Sequence, residues 1–161
     1  MRVYTAFGEN FSILAAKTIL GLRAPADAAI RILRVELNQS GTTTVGMQRV
    51  EFVKQAATLP TFASSSVIGK LTDTDPTSKI SGNTNSAAGT SGTNASAEGG
   101  GTRTVIWPGA FEVVRGLLWV PTSAKEEIIL PAGDASLFGI YLPAAPTSSG
   151  NWNALVVFEE I

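Results

Sequence analysis

Short apolar runs alternate with turn-forming residues along the whole chain, at intervals of about 8 to 15 residues. Val3, Thr5 and Phe7 alternate with other side chains near the N-terminus, which is the period of a strand with one buried face. The closing run Ala154–Phe158 is apolar on both faces, which indicates a strand in the middle of a sandwich or at a subunit interface. About eight to ten strands without a helix predict an all-β fold, an antiparallel two-sheet sandwich with the jelly roll as the favoured topology.

Turn chemistry in the first half of the chain gives specific expectations. Gly8-Glu9-Asn10 predicts a turn between two short strands. Residues 26–38 would also form a credible helix, but the alternation through residues 33–38 and the following Ser40-Gly41 favour a strand. The next long run, as far as Val53, is predicted to pair with that strand, with a bulge near Arg49.

In the second half, the same signals predict four further strands. Residues 105–107 form the first and end at a Pro108-Gly109 turn. The other three cover residues 111–120, 126–130 and 136–142.

One stretch interrupts this pattern, because Ser81–Thr102 consists almost wholly of Ser, Gly, Asn, Thr and Ala, with Glu98 as its only charge. Such a composition supplies too little apolar surface to fold alone, and the strands on either side are too few for two sandwiches. The sequence therefore predicts one β-sandwich domain over residues 1–161 with an extended surface loop or arm at about residues 71–104. We expect this arm to lie along a neighbouring subunit, so that deleting residues 81–101 would leave the monomer fold intact.

Composition excludes several classes of function. The chain has no cysteine and no histidine, which excludes disulfides, thiolate nucleophiles, Ser-His-Asp relays and the usual zinc sites. Its 12 basic and 13 acidic residues are scattered, so a nucleic-acid groove is not expected. No run of about 18 apolar residues occurs, and charges interrupt the N-terminal segment, so neither a membrane span nor a secretory signal is predicted. We expect no enzyme activity, no cofactor and no metal.

The carboxylate clusters favour structural explanations. Asp73-Thr74-Asp75 resembles the start of a calcium loop, but Pro76 follows it and a polar turn is the better interpretation. The pairs at residues 126–127 and 159–160 are adjacent glutamates, whose side chains point to opposite faces of a strand and cannot flank one glycosidic bond. One member of each pair is expected to be a solvated or edge-protecting charge.

The three tryptophans differ in their surroundings. Trp119 lies in an apolar run and is expected in the core. Trp107 precedes Pro108-Gly109 and Trp152 lies between two asparagines, so these two are the candidates for a surface or interface contact. We assign no catalytic, cofactor-binding or metal-binding residue from the sequence.

Two segments carry a resemblance to a known family. Residues 111–146 read FEVVRGLLWVPTSAKEEIILPAGDASLFGIYLPAAP, and residues 154–161 read ALVVFEEI. This order of an apolar strand with a Trp-x-Pro turn, an I-x-L-P-A-G strand, a G-I-x-L strand and a V-x-F-E-E-I tail resembles small virion proteins of tailed bacteriophages. The front segment LRAPADAAIRILRVELNQS fits the same pattern.

The resemblance implies a jelly-roll capsid decoration, or cement, protein. Such a protein is made in the host cytoplasm and binds the capsid exterior, often as a homotrimer, where it clamps neighbouring subunits of the major capsid protein. Two alternatives remain open. A tail-fibre or baseplate head domain would bind the host surface, with Trp107 or Trp152 stacking on a glycan, and a cupin-like enzyme would have to rely on carboxylates alone.

Overall fold

The computed structural model describes residues 2–41, 45–146 and 150–161, and within these ranges the chain forms thirteen strands and no helix. The strands are β1 Arg2–Ser12, β2 Lys17–Leu22, β3 Ile30–Ser40, β4 Met47–Ala56, β5 Thr61–Ser65, β6 Val67–Lys70, β7 Ser81–Gly82, β8 Thr90–Ala97, β9 Thr102–Glu112, β10 Leu117–Trp119, β11 Ile128–Leu130, β12 Leu137–Leu142 and β13 Asn151–Glu160. The predicted all-β class is confirmed, and residues 30–40 are a strand, as the alternation indicated.

These strands form two antiparallel sheets packed as a sandwich, an arrangement compatible with a jelly roll. The six-stranded sheet has the order β10-β3-β13-β1-β6, with β11 beside β10 on the same edge of β3. The seven-stranded sheet has the order β5-β8-β2-β12-β4-β9, with the two-residue β7 added in parallel to β8. The predicted pairing of β3 with β4 is wrong, because the two strands lie in different sheets and β3 is paired on its two sides by β13 and by β10 and β11.

The core lies between the two sheets, and every second side chain of β13 points into it. Trp152, Ala154, Val156 and Phe158 are buried and face the second sheet. Because β13 is central in the six-stranded sheet, its outward side chains are also largely covered by neighbouring strands, which accounts for its apolar character on both faces. Burying each large apolar side chain stabilises the fold by about 1.5–3 kcal/mol.

Two segments predicted as turns lie instead within continuous strands. Asn10 adopts a φ of 56° and its N–H donates to Asn153 Oδ1 at 2.9 Å, so the extra residues between Gly8 and Phe11 form a bulge in β1. Likewise, β9 runs through Pro108 without turning, because it is an edge strand and has a free side where a proline is tolerated. The bulge predicted near Arg49 of β4 is wrong, because β4 pairs regularly there and the extra residue of the β4–β9 pair is Ile106 of β9, opposite Phe52 and Val53.

The largest correction concerns the low-complexity stretch, whose residues 90–97 form β8 inside the seven-stranded sheet. This strand pairs with β2 on one side and with β5 on the other. Ser91, Thr93 and Ala95 are all buried. The interpretation of the whole stretch as a surface arm is therefore wrong, and deleting residues 81–101 would interrupt the sheet instead of sparing the fold.

Small residues are needed in β8 because other groups occupy the space that larger side chains would fill. Gly92 faces Gly21 across the β2–β8 pair, and the ring of Phe62 lies over both. A Cβ placed on Gly92 would lie 2.5 Å from this ring, and one placed on Gly21 would lie 2.4 Å from it. The buried Ser91 hydroxyl donates to the carbonyl oxygen of Gly21 at 2.9 Å. The composition of this segment thus reflects close packing between backbones.

Candidate functional site

The outward side of the six-stranded sheet is the first candidate surface, and we call it the outer face. Cross-strand pairing places its side chains together, since directly paired residues share one face. The register brings Val3, Thr5, Phe7, Arg31, Arg34, Glu36, Val67, Leu118, Ile129, Leu155, Val157 and Glu159 to this side.

The outer face has a covered centre and an exposed apolar rim. Val157 and Thr5 are buried at the centre, with Gly69 beside Thr5. On opposite edges, Leu118 is 66% exposed and Val67 is 55% exposed. A solvated sheet face normally carries mostly polar side chains, so this one has the character of a contact surface.

Charged groups on the outer face are paired among themselves. Arg34 Nε lies 2.8 Å from Glu36 Oε1, and Arg31 lies between Glu159 and Glu127 at 3.7 and 3.6 Å. Glu159 is buried, so its carboxylate depends on Arg31 for compensation. The face therefore presents little uncompensated charge to a partner.

A second candidate site is a groove of about 540 Å³ at the open side of the sandwich, which we call the Trp107 groove. It lies between β9 of one sheet and β10 and β11 of the other. Its lining consists of Lys54, Ile106, Trp107, Trp119, Lys125, Glu126, Glu127, Ile128 and Ile129. This volume falls within the range of about 300–1,000 Å³ that is usual for small-molecule sites.

The buried ring of Phe52 packs against both tryptophans of the groove. It stacks on Trp107 with centroids 4.6 Å apart and meets Trp119 edge-on at 5.3 Å. The outer part of the Trp107 indole lies close over Gly109, where a Cβ would be 2.2 Å from the ring. Trp107 is therefore held in one orientation while remaining half-buried.

Asp134 holds the ammonium group of Lys54 in the groove. Lys54 Nζ lies 3.0 Å from Asp134 Oδ2, and the amide and hydroxyl of Ser136 donate to Asp134 Oδ1 at 2.8 and 2.7 Å. Partial desolvation would raise the pKa of Asp134, but the hydrogen bonds from Ser136 and the ion pair with Lys54 outweigh it and lower the pKa to about 2. The carboxylate is therefore ionised at neutral pH.

The glutamates of the groove are also anchored. Thr122 donates to Glu126 Oε2 through its hydroxyl at 2.7 Å and its amide at 3.0 Å, and these bonds lower the pKa of Glu126. Glu127 faces Arg31 on the other side. The two adjacent carboxylates thus have separate partners. They precede β11, so the alternation of strand side chains that the sequence suggested for this pair does not apply to them.

The burial of the three tryptophans agrees only in part with the expectation from the sequence. Trp119 is in the core, as expected, and Trp107 is the partly accessible one. The expectation that Trp152 lies at the surface is wrong, since it is fully buried and packs edge-on against Phe111. The flanking Asn151 and Asn153 point to the opposite side of the strand and carry no information about its burial.

The glutamates Glu159 and Glu160, at the end of β13, also differ from expectation, because both are buried. Glu160 Oε1 accepts hydrogen bonds from the Ser78 hydroxyl at 2.5 Å and the Lys79 amide at 2.8 Å, which ties the segment before β7 to β13. Glu159 faces Arg31. The prediction of a solvated charge in this pair is therefore wrong. Long-range partners of this kind leave no local signal in the sequence.

Across residues 2–41, 45–146 and 150–161, His, Cys, Asp and Glu side chains form no group of three or more that could hold a metal ion. Asp73–Asp75 lies in a turn, with the Asp75 amide donating to the Thr72 carbonyl at 3.0 Å. In the same ranges, no helix is of a kind that could span a membrane.

Comparison with protein-family models, curated proteins and solved structures finds no match to this chain.

Proposed function

We propose that this protein is a structural virion protein that decorates an icosahedral phage capsid by binding neighbouring major capsid subunits. The observation that supports this proposal is the outer face, a broad sheet surface with exposed aliphatic side chains at Val67, Leu118 and Ile129. The sequence resemblance to tailed-phage decoration proteins supplies the nature of the partner. The proposal assigns the protein no catalytic step.

The dimensions of the outer face suit this role. Three strands of ten or eleven residues and shorter strands at both edges, about 4.8 Å apart with about 3.3 Å per residue, give a projected area of about 650–700 Å². A stable interface of standard size buries about 800 Å² on each partner. Many copies bound over a shell would add contacts between capsid subunits and make expansion or rupture of the shell more costly.

A homotrimer is the proposed assembly, and a second surface supports it. Val45, Met47 and Val114 are exposed. They lie close together where β4 begins, because Met47 pairs with Glu112 and the Val113 amide donates to the Gly46 carbonyl at 3.0 Å. This patch is separate from the outer face, so self-association and capsid binding can occur together.

Binding to emptied, expanded capsids of the phage that encodes the chain tests the capsid assignment. We expect purified protein to co-sediment with these capsids, and Leu118→Asp together with Val67→Asp to weaken binding at least about tenfold, because a desolvated charge at each edge opposes contact. Val105→Asp is the matched control, since Val105 is 46% exposed on β9 of the other sheet. Protein that labels the phage tail and leaves capsids bare would support the tail-fibre or baseplate alternative.

A further inference from the structure

The Trp107 groove combines an aromatic surface, aliphatic walls and ionised groups of both signs. Trp107, Ile106 and Ile128 contribute apolar surface, while Lys125 and Glu126 contribute charge at its border. Capsid docking through the outer face uses neither Trp107 nor these two charged groups, although Ile129 lies at the border of both surfaces. We propose that the groove is a binding site for a neutral saccharide, a function separate from attachment to the capsid.

The aromatic part of the groove is preorganised for stacking. Pyranose rings have an apolar face of C–H groups that packs well on an indole ring. Trp107 is suited to this contact because the ring of Phe52 stacks on it at 4.6 Å between centroids and Gly109 leaves the space that its outer ring atoms occupy. A side chain that is already fixed loses little conformational entropy on binding, so more of the contact energy appears as affinity.

The polar part of the groove favours a neutral ligand. The lining of the groove includes two lysines, Lys54 and Lys125, and two glutamates, Glu126 and Glu127. An anionic or cationic ligand would meet like charge on one wall, whereas hydroxyl groups can donate to the carboxylates and accept from the ammonium groups. Lys54 and Glu126 are positioned by Asp134 and Thr122 respectively, so these partners do not have to be ordered when a ligand binds.

The backbone around the groove argues against a peptide added as an extra strand. Strand addition requires a continuous row of free amide and carbonyl groups. Pro108 removes one amide from β9, and Ile106 of the same strand is an extra residue opposite Phe52 and Val53 of β4, which interrupts the regular ladder. On the other rim, β10 and β11 have only three residues each. A ligand recognised by side chains therefore fits better than one recognised by its backbone.

A glycan array followed by calorimetric titration with cellotriose, chitotriose and maltotriose tests the proposal on the full-length protein. We expect binding of at least one neutral oligosaccharide with micromolar to millimolar affinity, and loss of about tenfold or more in Trp107→Ala. Trp107→Ala also removes the packing on Phe52, which affects stability as well as binding. Lys125→Ala and Glu126→Gln therefore form a second set of variants. These two are exposed, and each should weaken binding several-fold without unfolding the protein.

Lys70→Ala, an exposed lysine on β6 away from the groove, is the matched control and should bind like the wild type. Leu118→Asp should lose capsid binding and keep saccharide binding, which distinguishes this proposal from the proposed function. The proposal is overturned by the absence of any neutral saccharide ligand, or by binding that persists in folded Trp107→Ala. Selection of a peptide that binds the groove, with no saccharide bound, would overturn it equally.

Discussion

Glu98 is the residue that fixes the end of β8, although its neighbours in sequence are small and polar. Its carboxylate accepts hydrogen bonds from the Thr18 amide at 2.5 Å, the Thr18 hydroxyl at 2.8 Å and Arg103 Nη2 at 2.5 Å. Arg103 in turn lies 4.1 Å above the ring of Tyr141. One side chain thus links β2, β9 and β12 to the end of β8.

We expect Glu98→Gln to lower the free energy of unfolding by about 1–3 kcal/mol, because charge-assisted hydrogen bonds to partly buried partners are lost. Glu112→Gln is the matched control, since Glu112 also pairs with an arginine, but Arg115 is 84% exposed and the pair should contribute less than about 1 kcal/mol. Urea denaturation of both variants measures the difference. Equal losses would mean that the Glu98 network does not anchor β8.

Asp134 should give the protein a specific pH dependence. Its pKa is about 2 in the folded protein against an ordinary value of 3.8, so its contribution to stability is present above about pH 4 and is lost as the pH falls toward 2. Allowing for partial solvent exposure, this contribution is about 1–2 kcal/mol. The difference in free energy of unfolding between the wild type and Asp134→Asn should be constant from pH 7 to 5 and should shrink below pH 4. A difference that stays constant down to pH 2.5 would contradict the lowered pKa, and with it the combined effect of the Ser136 hydrogen bonds and the Lys54 ion pair.

At the scale of single elements, β8 shows why composition can mislead. Gly92 and Gly100 lie eight positions apart in the same low-complexity stretch. A Cβ on Gly92 would clash with Phe62 and with the backbone oxygen of Asn83, whereas one on Gly100 would have nothing within 4 Å. Identical residues in one stretch thus have opposite structural roles.

We expect Gly92→Ala to destabilise the fold by about 1–3 kcal/mol through overpacking. Gly100→Ala should leave stability unchanged or raise it by up to about 1 kcal/mol, because alanine reduces the freedom of the unfolded chain. Thermal and urea denaturation of the two variants compare them directly. If Gly92→Ala proves as stable as Gly100→Ala, then β8 is not packed in the sheet as described.

Strand positions and inward faces were predictable from the sequence where large apolar side chains alternate. This applies to β3, whose buried Val35 and Leu37 alternate as expected although a register shift at residues 33–34 interrupts the period, and to β13 as a central strand. In β8 the signal is missing, because its burial depends on Phe62 covering Gly92 from a distant part of the sequence. Sheet membership of β4 was missed for a related reason, since alternation identifies a strand but not the strand that pairs with it.

The candidate surfaces were less predictable than the fold. Leu118 was not singled out in its apolar run, and it points outward because its neighbours Leu117 and Trp119 take the inward positions. Trp107 is partly exposed, as its sequence surroundings indicated, but the groove around it needs Lys54 of β4 and Glu126 before β11. Sites assembled from several elements cannot be read from any one of them.

At the scale of the whole molecule, capsid binding and saccharide binding are proposed for two different surfaces. The outer face would bind the capsid lattice, and the Trp107 groove, at the side of the sandwich, would stay open to solvent. This arrangement requires the six-stranded sheet to face the shell. The seven-stranded sheet, which contains β8, would then face outward.

Cryo-electron microscopy of phage particles that carry this protein tests the central claim most directly. We expect many symmetric copies over the capsid exterior, with Leu118 and Val67 of each copy at the contact with the major capsid protein. A bare capsid with a few copies at the tail tip would contradict the claim. So would a decorated capsid in which the six-stranded sheet faces solvent.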